Sequence, residues 1–265
     1  MKIGLALFLT GDGIHPAVLA RETEARGFES LFVTEHTHIP VGPGMVFRDG
    51  SPLHEKYRRT HDPFVALAFA AAATTKLIVG TSVCLVIEHD PIILAKQVAS
   101  LDVLSGGRFQ LGVGAGWNKQ EMRNHGTDPA TRHANMRERV EAMRAIWTED
   151  EAEYHGKHVD FDPIWLWPKP LQRPLPVLVG GNGPHVENRV LRYGDGWMPN
   201  MKDLDTLGPR VAALRERAGR HVPVTYYGAT PDTLGTLEAA GVDRALIVLQ
   251  PGPEAEVLAS IPSLT

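Results

Sequence analysis

His36 follows the apolar run 30–34 and stands beside Glu35, a place where an imidazole can hold a ligand or transfer a proton near neutral pH. Glu121, five residues beyond Gly116, is the second side chain of interest: it can serve as an acid, anchor a cofactor, or close a salt bridge to Arg132. Two groups of glycines accompany them. Gly112, Gly114 and Gly116 end the run 109–113, where the lack of a Cβ lets backbone come close to a ligand. Their spacing is not that of a dinucleotide fingerprint, since the third glycine comes too early and Trp117 follows it. Gly180, Gly181, Asn182 and Gly183 precede Pro184, which suits a first helical turn, and free amides at such a helix start can bind phosphate.

Other residues suggest weaker chemistry. His36 and His38 would share one side of an extended strand, as metal ligands do, but neighbouring strand ends read GAGW, GGN and MPN and supply no third or fourth ligand. No metal is expected. Cys84, in an apolar run, reads as a small core side chain rather than a nucleophile. Phe8, Met45, Phe47, Trp117, Trp197 and Met198 fall near strand ends and could line an apolar substrate pocket.

The elements that must position these residues alternate strand and helix. Strand-like runs occupy 2–8, 30–34, 77–86, 109–113, 176–180, 196–199, 222–227 and 244–249. Helix-like runs follow at 16–26, 63–75, 91–104, 132–147, 184–193, 203–218, 231–240 and 253–260. Ser105, Gly106 and Gly107 stop the third helix, and Met136, Val140, Met143, Ile146 and Trp147 make one apolar face of the fourth. Eight βα units predict an α/β fold, a (β/α)8 TIM barrel forming one domain over 1–265, with its site at the carboxyl ends of the strands. Two connections are long. The loop 35–62 after strand two carries His54, Lys56, Arg58, Arg59 and His61 and reads as a lid or binding loop. The segment 148–175 reads as a structural hairpin inserted before strand five, on the opposite side of the barrel.

Composition narrows the setting. A net charge of −4 offers no basic face for nucleic acid. The longest apolar helix, 64–73, is well short of the roughly 20 residues that span a membrane. The start of the chain lacks the pattern of a secretory signal, and a single cysteine fits a reducing cytoplasm.

The run LAKQVASLDVLSGGRFQLGVGAGW, with Glu121, Gly126, Arg132 and PVLVGGNGP after it, closely resembles the luciferase-like monooxygenase superfamily, in particular its short F420-dependent oxidoreductase type. Glu35-His36 and GDGWMPN extend the likeness over nearly the whole chain. The resemblance implies a TIM barrel with a flavin or deazaflavin across the carboxyl ends of its strands. It implies a bulge at Thr81, Ser82 and Val83, with a cis Ser82–Val83 peptide pressed against the central ring. It implies a flat wall at Gly114 and Gly116, and phosphate binding at Gly180, Gly181 and Asn182. His36 would handle the proton. Asp102 and Arg108 match family positions and belong to the architecture.

The activity so implied is hydride transfer between F420 and a small organic substrate. FMN, served by a separate reductase in a monooxygenase, is the alternative, and a cofactor-binding barrel without turnover is a third possibility. The basic loop 35–62 would meet the acidic tail of F420. Homodimers are common in the superfamily. Larger members carry an insertion after strand seven, whereas here Tyr226, Tyr227 and Gly228 run directly to Pro231.

Overall fold

A computed structural model describes residues 1–42, 46 and 50–264. Met45 and Phe47 lie outside the described residues. The strands are β1 (Lys2–Leu7), β2 (Ser30–Val33), β3 (Ile78–Thr81), β4 (Phe109–Val113), β5 (Ala152–His155), β6 (Asp160–Ile164), β7 (Val177–Gly180), β8 (Gly196–Met198), β9 (Thr225–Ala229) and β10 (Arg244–Val248). The helices are α1 (Pro16–Ala25), α2 (Pro63–Ala72), α3 (Pro91–Leu104), α4 (Lys119–Asn124), α5 (Arg132–Thr148), α6 (Val186–Tyr193), α7 (Leu207–Ala218), α8 (Leu234–Ala239) and α9 (Glu254–Ser260).

Eight strands pair in parallel in the order β8-β7-β4-β3-β2-β1-β10-β9, and a bridge between Trp197 and Val224 brings the two ends together. The result is a nearly closed α/β barrel with helices outside, as the strand count predicts. Its strands are runs of apolar residues because both faces are covered. Prolines open α1, α2 and α3, and aspartates cap two of them: Asp62 accepts from the Val65 amide, and Asp90 from those of Ile92 and Ile93. Gly106 and Gly107 have φ of 73° and 77° and stop α3 where a side chain would be strained.

Three departures from the sequence pattern bear on function. β3 ends at Thr81 rather than continuing to 86; the chain leaves the sheet at Ser82 and Val83 and rejoins β4 through a bridge between Cys84 and Val113. α4 has no counterpart among the expected helices, being six residues long with a single large apolar residue. The 148–175 segment does contain the antiparallel β5–β6 hairpin, but it is not confined to the far side. It lies along α5, and His158 and Val159 border a cavity shared with Glu88 and His89. Among the described residues no helix is long and apolar enough to cross a membrane.

Asp102 and Arg108 are structural, as expected. Buried Asp102 accepts from the Leu171 and Gln172 amides at 2.7 and 3.0 Å and from the Gln172 side chain at 2.6 Å, tying α3 to the segment leading into β7. Arg108 donates to the carbonyls of Ala71, Thr74 and Leu77, closing the end of α2. Asp102→Ala would strand these donors and lower stability by about 2–3 kcal/mol. Urea unfolding of the two proteins checks this; a difference near zero would show that the aspartate does not hold the segment.

Candidate active site

The site is organised by the two residues that leave β3. Ser82 donates its amide to the Val33 carbonyl on β2 at 2.7 Å, while Cys84 donates to Gly112 on β4 at 2.7 Å. Between these anchors the Ser82–Val83 peptide is cis. Val83 is held by glycines on the next two strands. A Cβ on Gly114 would stand 2.4 Å from Val83 Cγ2, and one on Gly180 would stand 2.9 Å from Cγ1. Gly114 and Gly180 therefore seat Val83, where a bare wall against a ring is the expectation. Thr81 sits behind the bulge, fully buried, with Oγ1 donating to the Gly112 carbonyl at 2.7 Å. It does not reach the cavity.

His36 and Glu121 form a buried pair, with Nδ1 at 2.8 and 3.1 Å from the carboxylate oxygens. Asn118 makes this possible by accepting from the Gln120 and Glu121 amides at the start of α4. Facing a carboxylate, Nδ1 carries the ring proton, which leaves Nε2 as an acceptor on a ring that lines the cavity. Glu121 itself is 1% exposed and works from behind the histidine. It makes no salt bridge to Arg132, whose guanidinium instead donates to the Pro129 carbonyl.

Glu35 turns away from the cavity centre to His89 Nε2, at 2.7 Å, and to the Leu85 amide. Burial opposes the charged form of His89, but hydrogen bonding and charge from Glu35 outweigh it and raise its pKa. Glu35, Cys84 and His89 have donor atoms within 4.8 Å of one another, yet both oxygens of Glu35 are engaged and burial pushes the thiol pKa well up. His36 and His38 do not converge: His38 meets Thr37 and Asn124 at 2.9 and 2.8 Å.

A cavity of roughly 490 Å³ opens at the carboxyl ends of the strands. Ser82, Val83, Gly114, Gly116, Gly180, Gly181, Phe8 and Trp117 line it. Trp197 does not. It is fully buried, and its Nε1 donates to the Gly181 carbonyl at 2.9 Å, so it supports the second glycine segment from below. Asn182 is also directed elsewhere, pairing with Asn200, which takes the place on the cavity wall.

Sequence reasoning missed Tyr57, Tyr227, Arg132, His133 and Arg189 as lining residues. Tyr57 stands 5.2 Å from the His36 ring and 4.9 Å from Phe8, and Trp117 is 5.8 Å from His36, making an aromatic wall around the imidazole. The basic loop is largely neutralised within itself. Arg58 pairs with Glu55, and Arg59 with Glu55 and Asp12. Lys56 lies over the Phe8 ring at 5.0 Å. Positive charge at the cavity comes instead from Arg132 and Arg189, with His133 pushed down to about 4 by burial and by both guanidiniums. Their position on the helices that follow β4 and β7 was the available signal.

These residues fit a flat heteroaromatic cofactor with a phosphate. Ser82 Oγ and Thr34 Oγ1 are buried in the cavity wall without partners among the described residues, so a ring with polar edges can satisfy them. Arg189 Nε is likewise unpartnered, and Gly183 has open space where a side chain would stand. An anion there would meet both the arginine and the glycine backbone.

Comparison with known proteins agrees with this geometry. A luciferase-like monooxygenase family model matches residues 15–232. An uncharacterized protein of Mycobacterium tuberculosis is 46% identical over 257 residues, covering 93% of this chain and 91% of its own. An FMNH(2)-dependent dimethylsulfone monooxygenase of Pseudomonas putida is 29% identical, covering 72% of this chain and 54% of its own. An F420-dependent hydroxymycolic acid dehydrogenase of Mycobacterium tuberculosis is 27% identical, covering 76% and 53%. In fold, the chain is similar to monooxygenase RslO1 from Streptomyces bottropensis, with a TM-score of 0.73, 24% identity and coverage of 91% and 75%. An F420-dependent secondary alcohol dehydrogenase, solved with an F420-acetone adduct, has a TM-score of 0.69 at 24% identity and coverage of 90% and 73%.

Gly114→Ala is expected to unseat Val83 and cost about 1–3 kcal/mol, the usual penalty of overpacking. Gly183→Ala, with open space around it, should leave stability nearly unchanged. Thermal unfolding of both variants checks the contrast; equal effects would show that Val83 is not held in this way.

Proposed function

The chain belongs to the luciferase-like monooxygenase family, and on that premise we propose that it is an F420-dependent oxidoreductase that moves a hydride between the deazaflavin and a small organic substrate. The observation that carries this reading is the His36–Glu121 pair, whose imidazole lines the same cavity as the Ser82–Val83 bulge. Ser82, Val83 and Gly116 would hold the ring, and Gly181, Gly183, Arg132 and Arg189 the phosphate-bearing side. Bound there, the cofactor would supply the hydride chemistry at C5.

The protein's own contribution is placement and proton handling. His36 Nε2 accepts the proton of a substrate hydroxyl, and the Glu121 carboxylate stabilises the imidazolium that forms before taking its Nδ1 proton. In the reverse direction the same nitrogen returns the proton to a carbonyl oxygen. Phe8, Tyr57 and Trp117 exclude water around this exchange and favour an apolar substrate. Since the dehydrogenases among the similar proteins include one for hydroxymycolic acid and one for secondary alcohols, small secondary alcohols are the first substrates to try.

FMN is the second reading, because the same walls and the same anion-binding residues would serve it and one of the relatives is FMNH(2)-dependent. In that case a separate reductase would supply reduced flavin. A homodimer in the cytoplasm remains part of the proposal.

The test uses purified protein with F420 and secondary alcohols deuterated at the carbinol carbon, following loss of F420 absorbance and recovery of deuterium in the reduced cofactor. His36→Asn is expected to lower kcat by roughly 100-fold or more while F420 still binds. Turnover requiring FMN and oxygen, or full activity of the variant, would contradict the reading.

A further inference from the structure

Glu88 is a buried acid to which the proposed mechanism gives no role. It ends the short 3-10 turn Val86–Glu88, its side chain is 1% exposed, and among the described residues no lysine or arginine pairs with it. One oxygen faces inward: Oε1 lies 4.0 Å from where a Cβ of Gly116 would stand, beneath the wall of the active-site cavity. The other faces outward. Oε2 is 3.3 Å from Thr37 Oγ1, which is 2.8 Å from His125 Nε2, and that imidazole is 28% exposed. Glu88 and His125 both border a second cavity, of about 380 Å³, outside the barrel. Thr37, the middle member of this hydrogen-bonded chain, is also the residue after His36.

The surrounding charges are unfavourable to a second anion. Burial is the main cause, with the charges of Glu121 and Glu35 adding to it, and together they push Glu88 up to about 8. The remaining titratable or charged groups facing it, its Thr37 partner or its outer cavity are His38, His89, Asp90, His125, Arg139, His158 and Asp160. Arg139 is occupied with the His89 carbonyl, and burial, then neighbouring charges, lowers the His125 pKa. At neutral pH the cluster thus contains a protonated acid beside a neutral surface imidazole, 3.8 Å away.

We propose that Glu88 is the proton outlet of the site, passing protons between the His36–Glu121 pair and the outer cavity by way of Thr37 and His125. This rests on the oxidoreductase reading. When the substrate is oxidised, its O–H bond breaks and an N–H bond forms on His36 Nε2, while the Nδ1 proton passes to Glu121. The Glu88 O–H bond then breaks, its proton crosses the Thr37 hydroxyl, and an N–H bond forms on His125. Glu88 is refilled from Glu121, the carboxylate whose charge acts on it most strongly. One proton enters and one leaves, and no electron moves through the relay, the hydride having gone to the deazaflavin. A threonine hydroxyl suits the middle position because it accepts and donates at once. The outlet matters when cofactor and substrate fill the main cavity and His36 is closed from solvent.

The test has two arms. In the protein alone, ring resonances of His36 followed by NMR should show an inflection near pH 8 that disappears in Glu88→Gln. Stability gives a parallel sign. An acid whose folded pKa is raised binds its proton more tightly when folded, so stability falls as pH rises from about 4.5 to 8, and Glu88→Gln should flatten that fall. In the second arm, with F420 and a secondary alcohol, Glu88→Gln is expected to lower kcat roughly tenfold with KM unchanged and to enlarge the solvent deuterium isotope effect. Thr37→Val, which removes the hydroxyl but no charge, should reproduce the kcat loss. An unchanged His36 titration in Glu88→Gln, or full kcat in both variants, would overturn the proposal. Absence of F420 turnover by the wild-type protein would overturn the oxidoreductase reading, and this outlet with it, whereas an intact inflection would separate that failure from an error about the Glu88 coupling.

Discussion

The seat of Val83 is the contact on which the site depends. Its two methyl groups occupy the positions where side chains on Gly114 and Gly180 would stand, so three neighbouring strands are fitted to one another at the mouth of the barrel. This contact holds the end of β3 inward while the backbone hands its hydrogen bonds from β2 to β4. It brings the unpartnered Ser82 hydroxyl into the cavity wall and leaves Gly181 and Gly183 to face the ligand. Because a packed core has no slack to absorb an added methyl, the glycines fix the shape of the site even though they contribute no functional group.

Electrostatics supply the second constraint. Glu35, Glu88 and Glu121 are all buried in the region behind His36, and each has a different way of being tolerated. Glu35 is held by His89 and a backbone amide, Glu121 by His36, and Glu88 by keeping its proton. Charge of the other sign lines the cavity at Arg132 and Arg189. A ligand with a neutral reactive end and an anionic tail matches this division.

Much of this was legible in the sequence. Apolar runs placed all eight barrel strands, and the prolines and aspartates before α2 and α3 marked helix starts that the fold uses directly. His36 and the glycine segments were visible from residue type and strand-end position. The misreadings have physical reasons. The run through Ser82, Val83 and Cys84 keeps a strand-like composition, so the bulge and cis peptide that the resemblance implies, and the structure contains, do not show in the apolar pattern; the glycines on the next two strands make room for Val83 where it leaves the sheet. Trp197 lies at a strand end, but its indole turns inward to the Gly181 carbonyl. The basic loop carries Glu55 among its arginines, and that carboxylate with Asp12 takes up their charge. Arg189 is separated from the strand end by a helical turn, so only its place on the helix that follows β7 pointed to it.

The central proposal is that this cavity takes F420 rather than FMN. The most direct measurement is a fluorescence titration of purified protein with F420 and, separately, with FMN. The account predicts binding of F420 in the micromolar range or tighter, weakened at least tenfold by Arg189→Ala, an energy of about 1.4 kcal/mol or more. Tight binding of FMN with no response to F420 would contradict it.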